Sequence, residues 1–157
     1  MRSRRLGIGV AVGAATIASA VFMGPNAFAA ADGGPGHGPC GATHSAAGTG
    51  SLGTPWILRA KYDTAVPSGV VVAEQFQIQT AAPGQLWHVQ LADNGVVFFD
   101  KVVQSTASGV AAMGTTPPVG TGDQVMSAVG TNLGDGESID ASVTLLPPPA
   151  SGCGIPV

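Results

Sequence analysis

The sequence predicts an all-β domain built from two antiparallel sheets stacked face to face, and three observations support this prediction. Apolar and polar residues alternate through most of residues 54–146, which is typical of strands that bury one face. Turn signals rich in glycine and proline separate the alternating segments. In addition, no window of about 12 residues shows sustained helical periodicity.

Seven segments carry the alternation, and each has the length of one strand. They are residues 56–62, 70–80, 86–92, 96–104, 110–116, 124–131 and 137–146. Within the second segment Glu74 interrupts the apolar face, which predicts a bulge or an edge position there. The fourth segment is apolar without interruption over Val96-Val97-Phe98-Phe99.

The connections between these segments carry residues with a backbone reason to turn. Asn94-Gly95 supplies the positive φ angles of a tight hairpin, and Gly134-Asp135-Gly136 does the same near the end of the domain. Pro83-Gly84 and Pro67-Ser68-Gly69 are further turn signals. About seven short strands at this spacing predict an immunoglobulin-like sandwich, with a closed barrel as the alternative and Trp87 as the central core aromatic.

Residues 1–29 predict a cleavable signal peptide. A basic head with three arginines precedes an uncharged stretch over residues 6–23, and Ala27-Phe28-Ala29 supplies small residues at the cleavage site. The alternative is a membrane anchor, for which this Gly- and Ala-rich stretch has few large apolar side chains. The paired arginines also fit a twin-arginine signal, so the export route stays open.

Two segments flank the predicted sandwich of residues 54–146. Residues 30–53 hold mainly Gly, Ala, Pro, Ser and Thr with a single large apolar residue, Leu52, so we expect a flexible, disordered leader. Residues 147–157 form a Pro- and Gly-rich tail that starts with three prolines, which favour an extended conformation.

The charge balance argues against nucleic acid and anionic membranes as partners. The whole chain has six basic and nine acidic residues, for a net charge of −3. Removal of the signal peptide takes away three arginines and no acid, which leaves a net charge of −6. A protein with this charge repels phosphate backbones and anionic lipid headgroups. We therefore expect no nucleic-acid partner and no membrane association after cleavage.

Cys40 and Cys153 are the only cysteines, and an even count in an exported chain predicts a disulfide. The pair brackets nearly the whole predicted sandwich. Such a bond joins the two ends of the domain, whereas the disulfide of antibody domains joins the two sheets. Two free thiols, or a bond between two chains, are the alternatives.

Three stretches of the predicted sandwich resemble small secreted proteins of actinobacteria. They are residues 56–63, residues 84–91, and the segment Asn94-Gly95-Val96-Val97-Phe98-Phe99. The resemblance covers roughly residues 54–146 and lies in the order of strands and hairpins. It implies an exported immunoglobulin-like sandwich without an assigned activity, and it transfers no functional residue to this chain.

Two clusters have the composition of metal sites but lack the pattern of one. His37, Cys40 and His44 have ligand-like spacing, yet no fourth ligand follows nearby. Residues 132–140 place several oxygen atoms close together, as calcium sites do. Their spacing departs from the EF-hand pattern, and a hairpin turn accounts for it. We therefore predict no metal and no cofactor.

No catalytic constellation emerges from the sequence. Nucleophilic catalysis needs a serine or cysteine beside a positioned histidine and an orienting acid. The chain has no G-x-S-x-G motif, and His88 is the only histidine in the predicted sandwich. Alternation places His88 on the face opposite Trp87, as a surface residue of a strand. We therefore predict a non-enzymatic domain with no catalytic residue.

The predicted contact surface comprises Phe98, Phe99 and Trp87. One face of a sheet in a sandwich normally meets solvent, so an uninterrupted apolar strand leaves either Val96 and Phe98, or Val97 and Phe99, exposed or covered. The Pro-rich tail, a loop, a second copy or another partner could supply that cover. Exposed aromatic rings could also stack on sugars.

The expected function is binding outside the cell. We expect a secreted domain, free in the medium or attached to the cell wall, whose partner is an envelope glycan or a secreted protein. The oligomeric state stays open. The alternative is a secreted hydrolase inhibitor that presents the loop 114–122, or a small extracellular hydrolase. A small-ligand carrier would need a cleft lined by Trp87 and by Phe98 or Phe99.

Overall fold

The structure is a computed structural model that describes residues 40, 42–65, 69–80, 82–147 and 153. The predicted signal peptide, residues 1–29, lies outside the described residues. The described part of the chain is all-β and contains eight strands. In chain order they are β1 (His44–Thr49), β2 (Pro55–Ala65), β3 (Gly69–Ile78), β4 (Leu86–Asp93), β5 (Val96–Gln104), β6 (Val110–Thr116), β7 (Gln124–Asn132) and β8 (Ser138–Leu145).

The strands form two four-stranded antiparallel sheets, which confirms the predicted two-sheet sandwich. One sheet has the order β1-β2-β3-β6 and the other the order β5-β4-β7-β8. Every neighbouring pair is antiparallel. The seven predicted strands correspond to β2 to β8, with ends that differ by up to three residues.

The eighth strand, β1, lies inside the segment for which the sequence predicts a flexible leader. It pairs with β2 along its whole length. Gly48 of β1 lies against Trp56, and a Cβ on that glycine would come within 2.8 Å of the indole ring. The prediction of a flexible leader is therefore wrong for residues 44–49. Main-chain pairing along an existing strand needs no large apolar side chain, and small residues permit the close approach.

The core lies between the sheets and consists of two adjacent clusters. The larger contains Trp87, Phe76 and Leu58, all fully buried. The smaller contains Tyr62 and Met126. Trp87 lies on β4, an interior strand, so its predicted place as a core aromatic is confirmed.

The bulge lies elsewhere than predicted. Glu74 occupies the middle of β3, which is an interior strand, and its pairing with Ala60 and Gly114 is uninterrupted. The register shift occurs instead where β4 pairs with β5, between Leu91 and Ala92. The predicted bulge or edge position at Glu74 is therefore wrong, because this carboxyl group follows the alternation and is buried between the sheets.

The hairpin turns agree with their predicted chemistry. Asn94 and Gly95 have φ angles of 47° and 80°, the positive values of a type I′ turn between β4 and β5. Gly136 has a φ angle of 79° in the β7–β8 turn. The predicted turn at Pro67-Ser68 lies outside the described residues.

The predicted disulfide is present and defines one end of the sandwich. Cys40 and Cys153 are bonded, with 5.5 Å between their Cα atoms. Cys40 pairs with Tyr62 in an isolated bridge, and Cys153 packs against the smaller core cluster. We call this the disulfide end, and the β4–β5 turn and the β6–β7 loop lie there too. The opposite end, here the loop end, carries the β1–β2, β3–β4, β5–β6 and β7–β8 connections.

Candidate functional site

The structure separates the three residues of the predicted contact surface. Trp87 is fully buried and points between the sheets, so it is not a contact residue. The prediction is wrong for Trp87, because β4 is covered on this face by the opposite sheet. Phe98 and Phe99 are half-buried and pack against the core.

The bulge explains how two consecutive phenylalanines both reach the core. Leu91 pairs with Phe99 and Ala92 with Val97, which leaves Phe98 as the extra residue of β5. Val96 and Val97 are exposed instead, at the edge of the sheet. The Pro-rich tail, one of the covers that the sequence analysis considers for this strand, lies mostly outside the described residues.

Phe98 packs so closely on β6 that a glycine is needed opposite it. A Cβ on Gly114 would lie 2.8 Å from the Phe98 ring. We expect Gly114→Ala to lower the free energy of unfolding by about 1–2 kcal/mol, because the ring must move outward. Gly122→Ala is the matched control, since a Cβ there meets no atom within 4 Å. Chemical denaturation checks both variants, and equal stabilities would contradict this packing.

His88 lies on the outer sheet face, as predicted. Its Nε2 atom is 2.6 Å from an Asp100 carboxylate oxygen, and Gln90 donates to the other oxygen at 2.9 Å. The hydrogen bonds from Gln90 and His88 lower the pKa of the fully exposed Asp100. Both members of the His88–Asp100 pair are solvent-accessible on an open sheet face. The arrangement is that of a surface hydrogen-bond network.

The oxygen-rich segment at residues 132–140 uses its side chains to shape a turn. Asn132 accepts a hydrogen bond from the Gly134 backbone N–H at 2.9 Å, and Asp135 accepts one from the Glu137 backbone N–H at 2.9 Å. Asn132 also donates to Asp135 at 3.2 Å. Across the described residues, no group of three or more His, Cys, Asp or Glu side chains is arranged to hold a metal ion.

Glu137 joins two turns at the loop end, a role that the sequence did not reveal. One oxygen of its buried carboxylate accepts the backbone N–H groups of Leu52 at 3.2 Å and Thr54 at 2.8 Å. The other accepts the Thr54 hydroxyl at 2.5 Å. The Ser51 N–H also donates to the Ser138 carbonyl oxygen at 2.9 Å. These bonds hold the β1–β2 turn against the β7–β8 turn.

A shallow depression of about 400 Å³ lies at the loop end, between the β3–β4 and β7–β8 connections. It is lined by Gly84, Gln85, Leu86, Asn132, Leu133, Gly134 and Asp135. Leu86 is 47% exposed and Leu133 is 55% exposed, although the Leu133 N–H donates to the Leu86 carbonyl oxygen at 2.8 Å. Fixed backbone thus presents two leucines to solvent.

A third exposed leucine occupies the neighbouring turn. Leu52 is 66% exposed, and its turn is held to the β7–β8 turn by Glu137. We call Leu52, Leu86 and Leu133 the leucine rim. A signal for it was in the sequence, because Leu52 and Leu133 each stand directly before a glycine in a polar turn. Alternation could not reveal it, since a turn has no buried face.

The disulfide end holds two buried carboxyl groups. Glu74 is 1% exposed, and Asp93 is fully buried on the facing sheet. Burial, with the Asp93 charge adding to it, raises the pKa of Glu74 from 4.5 to about 8. Burial also raises the pKa of Asp93, against a hydrogen bond from the Val119 backbone N–H that lowers it.

The loop predicted as an inhibitor segment, 114–122, starts inside β6 and continues to Asp93. The Val119 N–H donates to Asp93 at 3.1 Å and to buried Gln124 at 2.7 Å. The Asn94 side-chain amide donates to the carbonyl oxygens of Val119 and Asp123, both at 3.1 Å. The loop is therefore fixed at Val119, while residues 120–122 are exposed.

The described part of the chain has no helix that is long and apolar enough to cross a bilayer. Of the residues that the sequence singles out, the structure brings together the two cysteines, and it places Phe98 and Phe99 side by side on the core. It also brings together Leu86 and Leu133 of the leucine rim, which the sequence prediction missed. The chain matches no protein-family model, no curated protein and no solved structure.

Proposed function

We propose that this chain is an exported, non-enzymatic binding domain that holds a protein partner with its leucine rim. The observation that carries the proposal is the exposure of Leu86 and Leu133 on backbone that is fixed by hydrogen bonds. An ordered surface that exposes large apolar side chains loses little conformational freedom when it binds.

The strand order supports an immunoglobulin-like classification. Without β1, the sheets read β2-β3-β6 and β5-β4-β7-β8, so the chain crosses between sheets after β3, β5 and β6. A buried tryptophan lies on β4, the first strand after a crossing, as it does on strand C of immunoglobulin domains. In variable domains of that fold, the loops of one end form the binding site. The β3–β4 and β7–β8 connections, which line the depression, correspond to two of those loops.

Two observations support export. The Cys40–Cys153 disulfide suits an oxidising compartment, where such bonds persist. Residues 1–29 carry the order of a basic head, an apolar stretch and small residues that signal peptides have.

A protein partner fits the rim better than a glycan. Sugar-binding surfaces commonly stack aromatic rings on the sugar, and the described residues that line the depression include no aromatic side chain. Leucines surrounded by polar groups such as Gln85 and Asp135 resemble the apolar centre and polar border of protein contacts.

The rim can be tested with a double variant, Leu86→Ser with Leu133→Ser. We expect binding to proteins of the medium and cell wall to weaken at least about tenfold, since two apolar contacts are lost. The free energy of unfolding should change by less than about 1 kcal/mol, because both side chains are exposed. Retention on the immobilised chain measures binding, and chemical denaturation measures stability.

The matched control replaces two exposed valines outside the rim, one on β5 and one on β7: Val102→Ser with Val129→Ser. This variant should bind as the unchanged chain does. An equal loss in both variants would contradict the rim as the contact site. If the unchanged chain bound only purified cell-wall polysaccharide, and the rim variant lost that binding, the partner would be a glycan and not a protein.

A secreted hydrolase inhibitor is the second candidate, and the β6–β7 loop favours it. Inhibitors present an exposed segment on fixed backbone, and residues 120–122 follow directly after the anchored Val119. A panel of hydrolase assays with and without a substitution of Thr121 separates the two candidates. An inhibitor should lose inhibition on this substitution, whereas the rim proposal predicts no effect.

A further inference from the structure

Among the described residues, four buried side-chain polar atoms lack a hydrogen-bond partner: three belong to Glu74 and Asp93, and the fourth is Nε1 of Trp87. Neither oxygen of Glu74 has a hydrogen-bond partner, and one oxygen of Asp93 lacks one as well. A buried carboxylate without a donor is unfavourable, because it has lost its hydration without compensation. A protonated carboxyl group avoids most of that penalty.

Within the described ranges, Asp93 is the charged group that acts on Glu74, and it is negative. Asp93 on β4 faces Glu74 from the other sheet, Tyr62 lies two positions from Ala60, the β2 pairing partner of Glu74, and Asp123 directly precedes β7. The neighbouring β6 residue is Gly114, which does not titrate. Lys61 contacts Asp63 at 3.0 Å on the opposite face of β2.

Tyr62 does not titrate near neutral pH. Burial, with the charges of Asp93 and Asp123 adding to it, raises the pKa of Tyr62 to about 12. Its hydroxyl donates to the Leu146 carbonyl oxygen at 2.7 Å. Any ionisation of this cluster between neutral and mildly alkaline pH therefore belongs to the two carboxyl groups.

Asp93 connects the cluster to a surface loop. Its second oxygen accepts the Val119 N–H, so the β6–β7 loop is bonded directly to this buried carboxyl group. A second negative charge beside Asp93 has no hydrogen-bond partner among the described residues, so we expect water to stabilise it once this loop lifts. Opening at Val119 requires the loss of its N–H anchor, which Asp93 shares with Gln124, and of the bond from the Asn94 amide to its carbonyl oxygen.

We propose that Glu74 and Asp93 form a proton-operated latch on the β6–β7 loop. While Glu74 carries a proton the loop is docked through Val119, and when that proton is lost to solvent the loop is released. This device is independent of the leucine rim, which lies at the opposite end of the sandwich.

Amide hydrogen exchange in the full chain, followed by NMR between pH 6 and 9.5, tests the latch. Protection factors correct for the intrinsic pH dependence of exchange. We expect the protection of the Val119 amide to fall at least about tenfold above pH 8. The Asn132 amide, which donates to the Glu137 carbonyl oxygen at the loop end, should keep its protection.

Two variants separate the latch from general charge effects. Glu74→Gln should keep Val119 protected at every pH, whereas Asp140→Asn removes an exposed carboxylate and should leave the transition in place. The Glu74 carboxyl carbon of the unchanged chain gives an independent readout, and its titration midpoint should match that of Val119. The latch would be overturned if the two midpoints differed, or if the protection of the Val119 amide did not change with pH. An equal loss of protection at the Val119 and Asn132 amides would also overturn it.

Discussion

Loss of the Cys40–Cys153 bond is expected to lower the free energy of unfolding by about 4 kcal/mol. The two cysteines are 113 residues apart, so the bond removes much of the conformational freedom of the unfolded chain. The native state adds contacts of its own, because Cys153 packs against the core cluster that contains Tyr62. Chemical denaturation of the Cys40→Ala, Cys153→Ala double variant measures the loss.

The control is the unchanged chain under reducing conditions, which should show the same loss as the double variant. A double variant that is as stable as the oxidised chain would contradict this role of the bond. Since single domains have a total stability of about 5–15 kcal/mol, a loss of this size removes a large fraction of it. Folding of this chain in a reducing compartment would then be marginal, in agreement with the proposed export.

Much of the fold could be predicted from the sequence because burial acts on each strand separately. One face of each strand from β2 to β8 packs in the core. The alternation of apolar and polar residues within a strand therefore indicates its buried face. The strand β1 could not be predicted in this way, since its two alanines and one glycine bury little apolar surface. It is held by main-chain pairing with β2, and such pairing leaves no trace in side-chain hydrophobicity.

The bulge in β5 shows why alternation could not predict which residues of that strand are exposed. Strict alternation places Phe98 and Phe99 on opposite faces, so one ring should be exposed. A single extra residue turns both rings toward the core, and the exposed positions shift to Val96 and Val97. The position of a bulge depends on pairing with β4, a non-local property.

The leucine rim and the latch escaped prediction for a different reason. Each consists of residues from separate parts of the chain that become neighbours only when the sandwich is assembled. Leu86 and Leu133 are 47 positions apart in sequence, and Glu74 and Asp93 lie on facing sheets. A single sequence reveals the chemistry of such residues but not their proximity.

Glu74 should make the stability of the whole domain fall as pH rises. In the unfolded chain this carboxyl group ionises near its ordinary pKa of 4.5, whereas in the folded chain it keeps its proton to about pH 8. Between these values the unfolded state binds fewer protons, so the free energy of unfolding decreases with pH. This loss of stability totals on the order of 4 kcal/mol. It is fully present above pH 8 and absent below pH 4.5.

Glu74→Gln should remove this pH dependence. At pH 9 the variant should be more stable than the unchanged chain by several kcal/mol, because a neutral amide replaces a buried charge. At pH 4 the two should differ by less than about 1 kcal/mol, since both side chains are then neutral. Urea denaturation at a series of pH values gives both comparisons.

The same substitution at the other buried glutamate is the matched control. Glu137 accepts three hydrogen bonds from Leu52 and Thr54, so Glu137→Gln should lower stability at pH 9 rather than raise it. Opposite signs for two buried glutamates would show that the presence of donors, rather than burial alone, decides whether the charge is tolerated. If Glu74→Gln also lowered stability at pH 9, the interior would have to supply a donor to Glu74 that the described residues lack.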